Sequence, residues 1–332
     1  MILPGVEDFD LKNKRVLLRV NYDVSLQNNR LVDSSRVDES LSTIKCLLGQ
    51  GSKITLISHL GRPEGQEVST MSLKPVADYL SRLLPGIANC YLRENLRFDP
   101  REEANNPEFA RELAHNQDFF VNDAFAASHR EHASIVTLPQ LLPSAFGFDF
   151  LEEIANLSKI LENPARPAVL VLGGAKEDKL DNLAFLAPKF DSVIIGGRLH
   201  LFFHDSQFSI HNSVLAELTS SGKDITQESL DKFQKIIASA RTIVLAGPMS
   251  LYEEIDSEVG TKSIFEAIAQ SSAFTVAGGG DTEAALDAFA LRSKISYISS
   301  GGGAMLAFLA HGTLPGIEAI IKKNYQFSKS NF

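Results

Sequence analysis

The chain has 332 residues, 44% of them hydrophobic and 22% charged, with a formal net charge of −9. This is the make-up of an ordinary soluble globular protein, long for one domain and comfortable for two, and it excludes a disordered or fibrous chain. An acidic chain is a poor general binder of nucleic acid, so any anion site must come from local clusters of cations.

Cys46 and Cys90 are the two cysteines. They are too few for a disulfide framework and suit a reducing compartment. The opening MILPGVEDFD lacks the basic and apolar stretches of a signal peptide. No apolar run reaches the ~18 residues of a membrane span. A cytoplasmic protein with neither nucleic-acid nor membrane partners is expected.

In chain order, Lys14–Val20 (KRVLLRV) has the β-rich pattern of a strand. Glu39–Leu48 has apolar residues at helical spacing, with Gly49 as its stop. Lys53–Ser58 (KITLIS) is the next strand, and Leu73–Leu84 a helix ended by Pro85 and Gly86. Cys90–Arg93 reads as a short strand, Pro107–Ala114 as a helix and Phe119–Asn122 as a strand. Strands separated by helices imply parallel βαβ units with both faces covered. Phe150–Leu161 is an amphipathic helix ending at Asn163-Pro164, the best boundary between two lobes.

Beyond it, five apolar runs end in glycine turns. Ala168–Leu172 and Ser192–Ile195 each lead into Gly-Gly, and Thr242–Leu245 into Ala-Gly-Pro. Ala273–Ala277 leads into Gly-Gly-Gly-Asp and Ile295–Ser299 into Ser-Gly-Gly-Gly. Glycine between a strand and a helix lets a ligand approach the backbone and leaves N–H groups at a helix N-terminus for phosphate. In open parallel sheets ligands sit at the carboxyl ends of the strands. None of these turns fits G-x-G-x-x-G or the Walker A pattern. Asp281 and Thr282 place a carboxylate and a hydroxyl at a helix start, either as an N-cap or beside Mg²⁺ and a phosphate. Lys176 and Lys179 are expected on one face of a helix's first turns, where they oppose the helix dipole and suggest an anionic ligand.

The first half gathers cations at strand ends. Arg19, Arg36, His59, Arg62, Arg97, His129, Arg130 and His132 all lie at or just past them. A parallel sheet collects such residues at one edge. Guanidinium forks there suit carboxylates and phosphates. A basic edge on one lobe and glycine turns on the other describe a kinase.

The segments KRVLLRVNYDVSL, LVDSSRV, SHLGRPEG, RENLRF, VNDAFAASHREHAS, LGGAK, IIGG, AGPMSLYE, AGGGDT, ISSGGGAML and LPGIEAI resemble the phosphoglycerate kinase family in order and over nearly the whole chain. The resemblance implies an α/β fold of two Rossmann-like lobes with parallel sheets, hinge-linked by a helix. It implies an acceptor lobe over 1–149, an interdomain helix over 150–163, a nucleotide lobe over 164–313 and a tail over 314–332 that packs back on the first lobe. The implied reaction moves a phosphoryl group reversibly between 1,3-bisphosphoglycerate and ADP, giving 3-phosphoglycerate and Mg·ATP, with hinge closure excluding water. The implied ligands are thus a phosphorylated carboxylic acid, ATP or ADP, and Mg²⁺, on a monomer.

Residue by residue, the acceptor contacts carry over to Asn21, Asp23, Arg36, His59, Leu60, Gly61, Arg62, Arg97 and Arg130. Arg36, Lys176 and Gly302, within Gly301–Gly303, would meet the phosphoryl group in flight. Lys179 would bind nucleotide phosphate and Glu253 the ribose. Gly279, Gly280, Asp281 and Thr282 would hold phosphates and metal, Asp281 being the metal ligand. No general base is needed, because the acceptor carboxylate is already an anion.

There are departures. The family's Arg-Val-Asp-Phe-Asn is here Arg19-Val20-Asn21-Tyr22-Asp23, with acid and amide exchanged. Two residues rather than three separate Lys176 from Lys179. Arg198, Ala246 and Ser250 stand where the family has Gly, Asn and Gly. The stretch 201–241 is cut by several tens of residues and is expected to lack a strand and the adenine-pocket wall. A second trim lies between Pro85 and Arg93. Three readings stay open: a trimmed phosphoglycerate kinase, a paralogue acting on a different carboxylate acid, and a non-catalytic binding homologue.

Overall fold

The computed structural model describes residues 3–84, 88–202 and 211–330. The chain divides into two compact units, Met1–Ile154 with Thr313–Phe332, and Ala155–Gly312.

In the first unit the strands are β1 (Arg15–Val20), β2 (Leu26–Gln27), β3 (Arg30–Leu31), β4 (Lys53–Ile57), β5 (Cys90–Leu92), β6 (Phe119–Asp123) and β7 (Ser144–Phe146). Its helices are α1 (Ser35–Glu39), α2 (Leu41–Gly49), α3 (Lys74–Leu83), α4 (Pro100–Glu103), α5 (Pro107–Ala114) and the start of α6 (Phe148–Glu162). Five strands form one all-parallel sheet in the order β5-β4-β1-β6-β7, while β2 and β3 pair as a small antiparallel hairpin. The central strands are buried on both faces, as a parallel sheet covered by helices requires. Leu18, Val20, Leu56, Val76 and Val121 belong to the core that results. The strand order reverses at β1 and β6, so the carboxyl ends of these strands form a switch point, where open sheets hold their ligands.

Sequence and structure differ in two places here. The segment expected as one helix from Glu39 is two, α1 and α2, meeting at Ser40. Ser40 Oγ donates to the Val37 carbonyl, and it also pairs with the Tyr22 hydroxyl at 2.8 Å. Strand β7 carries three residues only, too short for an alternating pattern to show. The Pro85-Gly86 stop of α3 falls outside the described residues.

In the second unit the strands are β8 (Ala168–Leu172), β9 (Ser192–Ile195), β10 (Ser213–Leu215), β11 (Thr242–Ala246), β12 (Phe274–Gly278) and β13 (Tyr297–Ser299). The helices are the rest of α6, then α7 (Leu183–Leu186), α8 (Gln227–Ser239), α9 (Val259–Gln270), α10 (Gly280–Ala288) and α11 (Gly302–His311). The sheet is parallel throughout, in the order β10-β9-β8-β11-β12-β13. The shortened 201–241 stretch was expected to lack a strand. It keeps β10 on the sheet edge, with Val214 beside Ile194. The core joins both sheet halves to helices α8 and α9 through Phe233, Ile243, Ile264 and Phe265.

Helix α12 (Pro315–Ser330) belongs to the first unit. Gly316 N–H donates to the Ser128 carbonyl at 3.0 Å, Lys323 Nζ to Gln140 O at 2.7 Å and Asn324 Nδ2 to Ser144 O at 3.1 Å. No single helix among the described residues is long and apolar enough to cross a membrane. Two parallel sheets flanked by helices are the α/β architecture that the sequence implies.

Candidate active site: a basic edge and a glycine-turn edge

In the first unit a charge sits inside the sheet. Arg19, on the central strand β1, is only 1% exposed. Burying a guanidinium is costly unless it is paired and hydrogen-bonded. Arg19 meets that need locally: Nη1 donates to the Val20 carbonyl at 2.6 Å, Nε to Ser134 Oγ at 3.1 Å and Nη2 to His59 Nδ1 at 3.0 Å. Burial pulls its guanidinium down to about 10, which leaves it charged at neutral pH.

The residues expected at the acceptor site gather around it. Asp23 Oδ1 accepts the Gly61 N–H at 2.9 Å, and its Oδ2 lies 3.8 Å from His59 Nε2. Arg36 Nη1 donates to the Asp23 carbonyl oxygen. Arg97, itself buried, donates from Nη1 to Gly61 O at 2.7 Å and faces Glu103 Oε1 at 3.1 Å. Gly61 has a φ of +63°, a left-handed conformation that glycine adopts without a Cβ clash, and this turns both its polar groups into the cluster. Burial, followed by Arg19, Arg97 and Arg130, drives His59 well below its ordinary value, so it is neutral. His132 and His129 are pushed down to about 3 and about 4, chiefly by burial, with Arg97 and Arg130 adding to it. The edge is therefore a concentration of arginine charge with neutral imidazoles.

Three expected contacts behave differently. Leu60 points into the core at 5% exposure, and its backbone N–H and C=O are both tied to the Asn95 side chain. It positions the loop and offers nothing to a ligand. Arg62 is exposed. Asn21 is 8% exposed, and neither its Oδ1 nor its Nδ2 has a hydrogen-bond partner within the protein. Buried amides are rarely left so.

In the second unit the site lies where the strand order turns between β8 and β11. Here two backbones touch: a Cβ on Gly247 (φ +107°) would fall 2.1 Å from Gly173 O. Lys179 Nζ fills the mouth of this contact, donating to Gly173 O at 2.8 Å. The expected helix after Gly173-Gly174 is a single 3-10 turn, Glu177–Leu180. The two lysines thus part company: Lys179 folds back on the turn while Lys176 is exposed.

A second close approach lies beside the first. A Cβ on Gly302 would fall 2.8 Å from Gly279 Cα. These glycines open α11 and α10, and neither helix has a side-chain cap. Uncapped first-turn N–H groups of this kind suit an anion. Asp281 is exposed in the first turn of α10. Among the described residues no three His, Cys, Asp or Glu side chains converge on a metal position. Mg²⁺ is commonly held by one or two carboxylates with the rest supplied by phosphates and water, so Asp281 beside an anion site fits it.

Thr282 does something the sequence did not suggest. It is buried, its Oγ1 accepts the Gly247 N–H at 2.7 Å and donates to Gly278 O at 3.0 Å. The hydroxyl expected to face a phosphate instead clasps two turns together. Ser250, in place of a family glycine, pairs with Thr261 Oγ1 at 2.6 Å and accepts the Thr261 N–H at 3.2 Å. Ala246 is buried at the end of β11. Arg198 is exposed and its N–H donates to Gly174 O at 2.9 Å. Glu253 is exposed in the loop after β11.

Sequence reasoning missed Ser58, Glu102 and Ser134, which anchor the arginine cluster. Ser58 Oγ accepts the Tyr22 N–H at 2.9 Å and donates to Val20 O at 2.9 Å. Glu102, fully buried, accepts from Ser134 Oγ at 2.5 Å and from Ser134 N–H at 3.0 Å. Nothing in the local sequence marks these residues.

The family model for phosphoglycerate kinase matches residues 6–91, 88–221 and 216–312. The chain is 36% identical over 390 aligned positions to the phosphoglycerate kinase of Thermomicrobium roseum, covering 96% of this chain and 99% of that protein. It is 35% identical to that of Thermosipho africanus, covering 96% and 98%. The solved structure of phosphoglycerate kinase from Coxiella burnetii superposes with a TM-score of 0.81 at 30% identity, over 97% of this chain and 100% of that one. The 390 aligned positions exceed the 332 residues present, so these relatives carry segments that this chain lacks. With matches that run along both sheets and both glycine-bearing edges, the chain belongs to the phosphoglycerate kinase family.

Proposed function

We propose that the chain transfers a phosphoryl group reversibly between 1,3-bisphosphoglycerate and ADP, yielding 3-phosphoglycerate and ATP. The observation that carries this is the paired chemistry of the two edges. One concentrates Arg19, Arg36, Arg97 and Arg130 around neutral histidines. The other exposes two uncapped helix starts beside Lys179. Arginine forks suit the carboxylate and phosphate of the acid, and helix N-termini suit the phosphates of the nucleotide.

In this reading Asn21, Asp23, His59, Gly61, Arg62, Arg97 and Arg130 orient the acid. Lys179, Gly279 and Gly280 take nucleotide phosphates and Glu253 takes the ribose. Asp281 holds Mg²⁺, which neutralises charge on the phosphates. Arg36, Lys176 and the Gly302 N–H stabilise the charge on the group in transfer, a role in which one arginine can be worth roughly 10³–10⁵ in rate. The acceptor carboxylate is an anion, so no proton has to be removed from it. Transfer needs reacting atoms about 3–3.5 Å apart. Support for a cytoplasmic monomer comes from the family alone.

A coupled assay with 3-phosphoglycerate and Mg·ATP tests the proposal. Turnover supports it, and no turnover with intact nucleotide binding by calorimetry sinks it for this acid. One observation favours a second reading, a different carboxylate acid. Asn21 offers a donor and an acceptor where the family has an acid, and Asp23 offers only acceptors where the family has an amide. Turnover in a panel of carboxylic acids, absent with 3-phosphoglycerate, would establish that alternative.

A further inference from the structure

Glu102, fully buried and out of a substrate's reach, favours the charge of Arg19 from the interior, as Asp23 does from the exposed side. Both Glu102 oxygens are taken by Ser134, Oε1 by the hydroxyl at 2.5 Å and Oε2 by the N–H at 3.0 Å. Ser134 Oγ also receives Arg19 Nε–H at 3.1 Å. A guanidinium only donates, so the one hydroxyl proton of Ser134 is committed to Glu102. At its other end, Arg19 Nη2 lies 3.0 Å from His59 Nδ1, which must accept. A neutral imidazole that accepts on Nδ1 carries its proton on Nε2. That Nε2 points to the acceptor edge, 3.8 Å from Asp23 Oδ2, whose side chain is 43% exposed. The donor direction therefore diverges at Arg19, inward through Ser134 to Glu102 and outward to His59, and what Glu102 can fix is the place of the guanidinium.

We propose that Glu102 is a positioning residue for the acceptor site: through Ser134 it fixes the Arg19 guanidinium, and through Arg19 it holds His59 as the Nε2–H tautomer that donates to the acid. This rests on the reading of that edge as the phosphoglycerate site. The sign of the effect separates positioning from plain electrostatics. A negative charge merely close to an anion site weakens binding, so deleting it would leave affinity unchanged or raise it. A positioning carboxylate gives the reverse.

The test uses Glu102→Gln and Ser134→Ala in the full chain. Ser134→Ala keeps the buried charge and cuts the relay, so it carries the test should Glu102→Gln not fold. Long-range ¹H–¹⁵N spectra of histidine-labelled protein read the His59 tautomer without any ligand. The wild type is expected to be Nε2–H, and each folded variant to lose that single tautomer. Calorimetry is expected to show 3-phosphoglycerate bound about tenfold more weakly, the size of effect seen for residues that orient ligating groups, with Mg·ATP affinity unchanged. Glu102→Asp should recover part of the loss. An unchanged tautomer in the folded variants, or unchanged or tighter acid binding, overturns the proposal. A wild type that does not bind 3-phosphoglycerate overturns the function proposed above, while the tautomer spectra still decide the relay.

Discussion

The Thr282 hydroxyl accepts the N–H of Gly247 at 2.7 Å and donates to Gly278 O at 3.0 Å, joining the turn after β11 to the turn after β12. Gly247 can only be glycine, because its φ is +107° and a Cβ would strike Gly173 O. Its N–H is buried with Thr282 as its partner. Thr282→Val keeps the shape and removes the hydroxyl, leaving that donor unsatisfied. We expect a loss of ~1–3 kcal/mol in urea unfolding, with Thr282→Ser near wild type. Equal destabilisation by Ser and Val would show that the hydroxyl is not the stabilising group.

Arg36 donates to the Asp23 carbonyl from the first turn of α1 and is half-buried. Arg36→Ala should leave the unfolding midpoint within a few degrees of wild type and lower kcat by roughly 10³ or more. The measurement is steady-state turnover beside thermal unfolding. A kcat within a factor of a few of wild type removes Arg36 from the transfer step.

Asp281 is exposed at the start of α10, so its carboxylate is free to meet a cation. Asp281→Ala should weaken Mg·ATP binding while leaving metal-free ATP affinity nearly unchanged. Calorimetry with and without Mg²⁺ separates the two. Equal affinity of wild type and variant for Mg·ATP assigns the metal elsewhere.

The fold was legible because strand ends and glycine turns recur together, and because that coincidence survives short errors in element bounds. Strand β10 was not legible, since three residues carry no period and the stretch around it is shortened. The lysine pair was misplaced because the turn after Gly173-Gly174 runs only from Glu177 to Leu180, so Lys176 precedes it and shares no helix with Lys179. The acceptor edge was readable as a set of cations, yet its support was not. Arg19 and Ser134 are 115 residues apart in sequence, and Glu102 lies on a four-residue helix whose acidic character looks like ordinary surface. Chemistry at strand ends is written locally, whereas the carboxylate that orients it is fixed by tertiary packing.

Asp123 and Asp149 make the protein's stability depend on pH. Asp123 is buried at the end of β6 and accepts the Phe150 N–H at 3.0 Å. Burial raises both carboxyls, and Asp149 is raised further by Asp123, Glu39 and Glu152, with Ser42 opposing. In the unfolded chain both return to ordinary values near 3.8. Between that value and the raised ones the folded state holds more protons than the unfolded state. Stability therefore falls as pH rises through this window, and the loss is complete once both groups are ionised. Asp149→Asn removes the second charge and keeps an acceptor oxygen for Ser42. It should stabilise the protein by on the order of 1 kcal/mol at about pH 8 and have little effect at about pH 3, below the ordinary carboxyl value. Thermal unfolding across that range checks it, and a gain in stability of equal size at both ends would show that the repulsion between these carboxylates is not its source.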